Sequence, residues 1–303
     1  MSIRIATRSS RLAMWQTSWV AAEIHRHHPE FEIEAMEFKT KGDLVIDRPL
    51  PEVGGKGLFT EELEAALRDG RADLAVHSLK DLPTTLPDGL ALGCVTERED
   101  PRDALLTNGA ASLSDLPAGA VLGTSSLRRR AQVLAHRPDL EIRDLRGNVP
   151  TRVRKLEEGG YDAIILALAG VRRLDLEDRV TAILSPDEML PAVGQGALGV
   201  EIRANDEETR ELLAPLEHEP TRAATTAERA FLRVLEGGCH VPVGALAEAT
   251  ADGVRLRGVV ASLDGRRAVR GERTGTDAEA VGRRLAEELL ERGAREILAE
   301  CER

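Results

Sequence analysis

The feature that most restricts the fold is a regular alternation of strand-like and helix-like segments. Residues 2–6 and 31–38 have the short alternating pattern of strands, and residues 11–27 between them have helical periodicity. The same order of strand, helix and strand recurs after each short turn as far as the run YDAIILAL at 161–168. Such alternation is typical of βαβ units in a parallel or mixed sheet. The sequence therefore predicts an α/β protein.

Two irregular segments interrupt this alternation and indicate the domain organisation. The first is the polar stretch at 97–103, and the second is the glycine-rich stretch at 191–202, which re-enters a strand. Two breaks on either side of one α/β unit predict a domain inserted into another, joined by two crossing strands that form a hinge. Beyond Pro220 a helix, alternating strands and a final helix predict an α+β domain. We therefore expect domain 1 at 1–98 with 195–217, an inserted domain 2 at 99–194, and domain 3 at 218–303.

Charge and cysteine content exclude several functional classes. A net charge of −11 argues against non-specific binding to nucleic acid or to an anionic membrane, and it favours a monomer. No apolar run approaches the ~20 residues of a membrane span, and no signal-peptide pattern precedes the first strand. Three cysteines are too few for a disulfide framework and indicate a reducing compartment. These features predict a cytoplasmic protein.

Basic residues are concentrated in one segment of this acidic chain. Between Leu122 and Lys155 there are nine Lys or Arg residues and three Asp or Glu residues. Thr124 to Ser126 form an N-cap signal, and a helix N-terminus binds anions. Arg128 and Arg129 follow in the first helical turn, where cations oppose the helix dipole. We therefore favour an anion site over a solvated charged face.

Three shorter motifs remain ambiguous when only their spacing is considered. Lys56 lies in the glycine loop VGGKGLF, which could wrap an anion or act as a mobile lid. The motif HSLKDLP at 77–83 follows a strand, where α/β domains bind ligands, although a surface ion pair in a turn is the simpler reading. Cys239 in GGCHVPV is either an exposed thiol or a small residue in a tight turn. No second Cys or His stands at metal-ligand spacing, so we expect no metal.

Seven motifs resemble, in the same order, those of the porphobilinogen deaminase family. They are RIATRSSRLAMWQ, GGKGLFTEELE, HSLKDLPT, GTSSLRRRAQ, LRGNVPTR, LPAVGQGALGVE and GGCHVPVGA. The resemblance implies two doubly wound domains like type II periplasmic binding proteins, joined by a hinge, and a small C-terminal α+β domain. It implies head-to-tail condensation of porphobilinogen with loss of ammonia to give hydroxymethylbilane. It also implies a dipyrromethane cofactor bound to Cys239 through a thioether. Arg11 and His240 occupy variable positions and receive no role.

The resemblance also implies roles for individual residues. Asp81 is the expected catalytic carboxylate, which stabilises the cation left by ammonia loss. The other residues bind the carboxylates of cofactor and substrate, for which bidentate arginine has the best geometry. Lys56 and Phe59 are expected to gate the site. The expected cofactor-binding residues besides Cys239 are Lys80, Ser78, Ser126, Arg128, Arg129, Arg146 and Gly147, and the substrate-binding residues are Arg8, Ser10, Arg152, Arg173 and Gln195.

Two other functions are compatible with parts of the pattern. An anion-binding or sensory module with a periplasmic-binding-protein fold would share the hinge and the basic lining, but it has no use for Cys239 or for HSLKDLP. A thiol enzyme using Cys239 and His240 would require the two adjacent side chains to point at each other, which adjacent residues rarely do.

Overall fold

The computed structural model describes residues 2–44, 58–235 and 241–301. The chain divides into two compact units. Unit 1 contains Met1–Glu99 and Gly196–Arg222, and unit 2 contains Asp100–Gln195 and Ala223–Arg303. The chain leaves unit 1 and returns to it near the two predicted breaks. The assignment of 218–303 as a separate third domain stays a prediction, since residues 223–303 cluster with the second half of the α/β region.

Unit 1 is built on a five-stranded mixed sheet in the order β2-β1-β3-β10-β4. Strand β1 lies parallel to β2 and to β3, whereas β10 runs antiparallel to β3 and β4. The apolar face of the first helix, including Val20 and Ile24, packs on this sheet. The elements are β1 (Ser2–Arg8), α1 (Arg11–His27), β2 (Glu32–Phe38), α2 (Lys41–Leu44), α3 (Glu61–Arg68), β3 (Leu74–Ser78), β4 (Leu90–Val95), β10 (Leu198–Arg203) and α7 (Glu207–Leu213).

The α/β part of unit 2 repeats the same plan. Its sheet has the order β7-β6-β8-β5-β9, with β6 parallel to β7 and β8 and with β5 antiparallel to β8. In each sheet three parallel strands are therefore followed by an antiparallel one. The elements are β5 (Asp103–Thr107), β6 (Val121–Gly123), α4 (Leu127–His136), β7 (Glu141–Arg143), α5 (Val149–Glu157), β8 (Ala163–Ala167), α6 (Leu168–Arg172) and β9 (Ala182–Ile183).

The C-terminal part of unit 2 is a three-stranded antiparallel sheet covered by helices. Phe231 lies fully buried at the centre of its core, and Gly258 gives that ring the space it needs. The sequence predicts one continuous final helix, which is wrong in detail, because Gly293 adopts a positive φ of 104° and divides it. The elements are α8 (Glu219–Val234), β11 (Val243–Thr250), β12 (Gly253–Ala261), β13 (Ala268–Gly275), α9 (Ala278–Leu289) and α10 (Arg295–Cys301).

The strand orders confirm the predicted mixed α/β fold with a smaller C-terminal α+β part. Within the described residues, no helix is both long and apolar enough to cross a membrane.

Candidate functional site

Two predicted site segments of unit 1 lie at the same edge of its sheet. Strands β1 and β3 are parallel neighbours, with Ile5 opposite Leu74, so their carboxyl ends meet at one edge. Arg8 ends β1, and Ser78 ends β3. A turn of 3₁₀ helix, Leu79–Asp81, follows at once. This places the candidate catalytic carboxylate, Asp81, and the candidate substrate-binding arginine, Arg8, where α/β domains bind their ligands.

The turn that carries Asp81 is anchored by apolar side chains. Leu79 is 1% exposed and Leu82 is 5% exposed, while Asp81 between them is exposed to solvent. Lys80 is half-buried. The carboxylate is therefore presented on a short turn whose base is packed into the unit, as a preorganised electrostatic group requires.

Gln16 belongs to this edge and was missed by the sequence reasoning. Its Nε2 donates a hydrogen bond of 2.8 Å to the Ser78 hydroxyl, and the side chain is 3% exposed. Ser10 caps the same helix and accepts a 3.2 Å hydrogen bond from the Ala13 N–H. A polar residue on the buried face of an otherwise amphipathic helix was the signal that could have revealed Gln16.

Phe59 lies against Arg8. The Arg8 guanidinium carbon is 4.3 Å from the centre of the Phe59 ring, which is a cation–π distance. The ring is also close to Gly42, where an added Cβ would be 2.1 Å from the nearest ring atom. Gly42 also donates its N–H to the Leu58 carbonyl at 2.8 Å. The structure thus brings together two predicted site residues, Arg8 and Phe59. Lys56 lies outside the described residues.

Unit 2 presents two helix N-termini at the carboxyl edge of its parallel strands. Ser126 caps α4 and accepts a 3.4 Å hydrogen bond from the Arg129 N–H. Asn148 caps α5 and accepts a 3.0 Å hydrogen bond from the Thr151 N–H. Strands β6 and β7, which precede these helices, are parallel neighbours. Both positive dipole ends therefore lie at one edge of the sheet, where they attract anions.

Arg128 and Arg129 both bind a buried carboxylate, Asp103. Arg128 Nη1 is 2.6 Å from Asp103 Oδ2, and Arg129 Nη2 is 2.7 Å from Asp103 Oδ1. Gln195 Nε2 donates to the same Oδ1 at 3.0 Å. Asp103 is fully buried, and the arginines are 5% and 6% exposed. The anion that these first-turn arginines bind is thus the carboxylate of Asp103, a side chain of the protein itself. Asp103 lies in the stretch 97–103, which the sequence analysis interpreted only as a polar break.

The Asp103 cluster retains one positive charge. Burial alone would raise the pKa of Asp103, but the charges of Arg128 and Arg129 outweigh burial and hold this pKa well below its usual range. One carboxylate faces two guanidinium groups, so the cluster carries a net charge of about +1. Among the described residues, Arg128 Nε is buried without a hydrogen-bond partner. The cluster can therefore stabilise an additional anion nearby.

The remaining predicted cations of unit 2 lie in the loop before α5, in the first half of α5 and directly after α6. Gly147 has a φ of +117°, which favours glycine, and its carbonyl accepts a 2.7 Å hydrogen bond from Arg152 Nε. The Arg146 carbonyl accepts a 3.1 Å hydrogen bond from Lys155 Nζ. Arg146 and Arg152 are half-buried. Arg173, which follows the helix after β8, is 8% exposed.

The structure groups the predicted residues into two sets. Cys239 and His240, like Lys56, lie outside the described residues, so their positions stay predictions. The set in unit 1 is Arg8, Ser10, Phe59, Ser78, Lys80 and Asp81, and the set in unit 2 is Ser126, Arg128, Arg129, Arg146, Gly147, Arg152, Arg173 and Gln195.

Two family models match the chain. The model described as porphobilinogen deaminase, dipyrromethane cofactor binding domain, matches residues 3–211. The model described as porphobilinogen deaminase, C-terminal domain, matches residues 223–291. Together these matches contain all seven motifs.

Solved structures with distant likeness belong to binding and regulatory proteins. The periplasmic aliphatic sulphonate binding protein SsuA from Escherichia coli is 16% identical, with 78% of this chain and 70% of that chain covered and a TM-score of 0.40. The OxyR2 regulatory domain from Vibrio vulnificus is 16% identical, with 71% and 92% covered and a TM-score of 0.43. The Bordetella pertussis BvgS periplasmic VFT2 domain is 15% identical, with 70% and 85% covered and a TM-score of 0.41.

Proposed function

Because the chain belongs to the porphobilinogen deaminase family, we propose that it is a hydroxymethylbilane synthase that joins four porphobilinogen molecules head to tail. The family places this transferase in tetrapyrrole biosynthesis and gives it a dipyrromethane cofactor. The observation that carries the proposal is the match of the two family models to residues 3–211 and 223–291. The described edges of both units supply the charged groups that this chemistry needs.

The residues of unit 2 fit a dipyrromethane group. Each of its pyrrole rings carries an acetate and a propionate, so the group needs several cations and hydrogen-bond donors. The edge of unit 2 offers the net positive charge of the Asp103 cluster, the orphaned Nε of Arg128 and two helix N-termini. When bound, the cofactor supplies the pyrrole carbon to which the first substrate is joined. The residues of unit 2 that would hold it are Ser126, Arg128, Arg129, Arg146 and Gly147. Ser78 and Lys80 of unit 1 are also proposed to bind it, with Cys239 as the point of attachment.

The roles of these residues differ with their burial. Arg146 is half-buried and suits direct contact with a carboxylate. Arg128 and Arg129 are committed to Asp103, so they contribute mainly through their charge. Gln195, 1% exposed, has no charge and supports the cluster by donating a hydrogen bond to Asp103. Arg8, Ser10, Arg152 and Arg173 remain the proposed substrate-binding residues.

Asp81 carries the proposed chemistry. When ammonia leaves porphobilinogen with the electron pair of the broken carbon–nitrogen bond, the remaining methylene-pyrrole is a cation whose charge is shared by the ring nitrogen. A carboxylate that accepts the pyrrole N–H stabilises this charge as it develops. A carbon–carbon bond then forms to the free carbon of the acceptor ring, and that carbon loses a proton, which Asp81 can accept. The exposed position of Asp81 on an anchored turn supports this role.

Phe59, with Lys56, is proposed to gate the site, and the contact between Arg8 and the Phe59 ring supports this role. We also place the enzyme in the cytoplasm as a monomer. The charge of −11 and the few cysteines support this assignment.

The direct test is incubation of the purified protein with porphobilinogen. We expect ammonia release in step with the consumption of porphobilinogen, together with formation of a linear tetrapyrrole. A module that only binds anions would bind porphobilinogen but release no ammonia, and that result would overturn the proposal. A thiol enzyme would leave Cys239 unmodified after turnover.

A further inference from the structure

A buried polar cluster lies directly behind the Asp81 turn, on the opposite face of the sheet from Gln16. Side chains alternate along β3, so Ser78 faces α1 while His77 faces α3. His77 is 5% exposed, Glu64 of α3 is 3% exposed, and Glu201 of β10 is fully buried. Charged or titratable side chains are seldom buried this completely without a reason.

The three side chains come from three elements that pack together. His77 Nε2 is 3.1 Å from Glu201 Oε2, which is an ion-pair distance. In the antiparallel register His77 stands opposite Gly199 and Glu201 stands opposite Ala75, so both side chains share one face. Arg68 Nη2 lies 3.8 Å from Glu64 Oε2. The charged or titratable groups around Glu64 are therefore Glu201, His77 and Arg68, with Glu61 lining the same cavity as Glu64, and the packed segment 83–87 adds none. Thr60 is a further polar neighbour, and its side chain partly offsets the rise in the pKa of Glu64 that burial causes.

The hydrogen bonds of this cluster are incomplete. The 3.1 Å contact between His77 and Glu201 is an ion-pair distance but does not have hydrogen-bond geometry. Among the described residues, four buried atoms of the cluster therefore have no hydrogen-bond partner: His77 Nε2, Glu201 Oε1, Glu201 Oε2 and Glu64 Oε1. Burial raises the pKa of Glu64, and the charge of Glu201 raises it further. Replacing such groups by apolar residues is often neutral or stabilising, so fold stability does not account for the cluster.

The cluster is linked to the Asp81 turn through packing. Gly199, opposite His77, leaves space for Leu79 and Leu82, since an added Cβ would be 3.0 Å from Leu79 and 3.2 Å from Leu82. On the other side, Glu64 and Arg68 line a cavity of about 520 Å³ together with Pro83 and Leu86. A substitution at His77 or Glu64 therefore acts on the two segments that flank Asp81.

We propose that Glu64, His77 and Glu201 are positioning residues that fix the turn carrying Asp81. The proposal rests on the function proposed above. Glu201 holds the His77 side chain at the end of β3. Glu64, when protonated, avoids placing a second buried carboxylate charge beside Glu201. The cluster touches no reacting atom and acts on the rate through Asp81.

The first test measures kcat and KM of Glu201→Gln and His77→Gln in the cofactor-loaded enzyme. We expect about a 10-fold loss in kcat with KM changed less than about 2-fold, since the arginines proposed to bind the substrate carboxylates are unchanged. Glu34→Gln, an exposed change on β2 of the same sheet, is the control and should behave like wild type. Unchanged kcat in both cluster variants would contradict the proposal.

Two further variants separate positioning from folding. In the double variant His77→Leu with Glu201→Leu, we expect an unfolding midpoint equal to or above that of wild type and a kcat still about 10-fold lower. In Glu64→Gln, we expect the pH profile of kcat to lose one titration step present in wild type. A double variant with normal kcat, or a Glu64→Gln profile that superposes on that of wild type, would overturn the proposal.

The same assays distinguish this inference from the proposed function. If Asp81→Asn is as active as wild type, the proposed role of Asp81 fails. If Asp81→Asn is impaired while all cluster variants keep their kcat and pH profile, only the positioning role fails.

Discussion

At the residue scale, the proposed role of Asp81 is to oppose, with its negative charge, the cation formed when ammonia leaves. Asp81→Asn preserves size but removes this charge, so we expect each condensation to slow by about 10²–10³-fold. Asp81→Glu keeps the charge about one methylene away and should retain more activity than Asn. Substrate binding should change less than chemistry, because the substrate carboxylates are bound elsewhere. Single-turnover ammonia release by cofactor-loaded protein measures these rates.

A matched control for Asp81 lies in the same segment of unit 1. Asp88 is also exposed, and Asp88→Asn should leave the rate at the wild-type value. If Asp81→Asn were as fast as wild type while Asp81→Glu failed, shape rather than charge would matter at this position.

Asp103 contributes to stability because its carboxylate pairs with two buried guanidinium groups. Asp103→Asn leaves Arg128 and Arg129 without a counter-charge, and we expect a loss of about 3–5 kcal/mol in the free energy of unfolding at pH 7. The folded-state pKa lies below the ordinary 3.8, so this contribution is present above that value and is lost as the pH falls through the folded-state pKa. Denaturant unfolding of wild type and variant from pH 7 down to acid pH measures the difference.

The control for Asp103 is Asp69→Asn, which breaks an ion pair with Arg71 in which both side chains are exposed, and it should change stability little. Equal losses in the free energy of unfolding of the two variants would mean that Asp103 contributes no more to stability than an exposed ion pair does.

The side-chain contacts that the sequence did not reveal share one property: they join residues that are far apart in the chain. Arg128 and Arg129 stood out because cations are unfavourable in a first helical turn, but their partner Asp103 is 25 residues away from Arg128 in sequence. Gln16 and Ser78 are 62 residues apart. Contacts of this kind depend on strand order, which spacing and periodicity do not specify.

At the scale of elements, the helix α5 offers a direct comparison of two arginines. Arg152 lies at its N-terminal end and donates to the Gly147 carbonyl, whereas Arg154 is exposed and lies 3.5 Å from Glu158. Arg152→Leu should impair cofactor assembly or stall chain elongation, because a substrate carboxylate loses its cation. Arg154→Leu should do neither. Mass spectrometry of enzyme–substrate adducts follows both steps, and equal loss of activity in the two variants would mean that the basic segment is only a charged face.

Element boundaries were predictable where periodicity was strong. The first helix was predicted at 11–27 and is observed at Arg11–His27, because its apolar face is regular and Ser10 caps it. The second strand was predicted at 31–38 and is observed at Glu32–Phe38. The break at Gly293 was missed because glycine within a helical pattern does not by itself require a positive φ.

At the scale of the whole molecule, the chain leaves unit 1 after Glu99 and returns to it at Gly196, close to the two breaks on which the predicted domain bounds rest. The return near residue 196 places β10 antiparallel between β3 and β4. The sequence could not show that residues 223–303 would cluster with the second unit, because that depends on packing between distant surfaces, such as Gly265 against α4.

This chain is proposed to build its product on a dipyrromethane group attached to Cys239, and the intact mass of the protein tests this attachment most directly. Protein produced in cells that make porphobilinogen should be heavier than its sequence by two pyrrole units. Cys239→Ser should lack this mass and be inactive while remaining folded, since a change from Cys to Ser in a predicted turn is usually mild. Cys94→Ser and Cys301→Ser, at the two free cysteines of the described residues, should retain the added mass. A fully active protein whose mass equals that of the bare sequence would contradict the account.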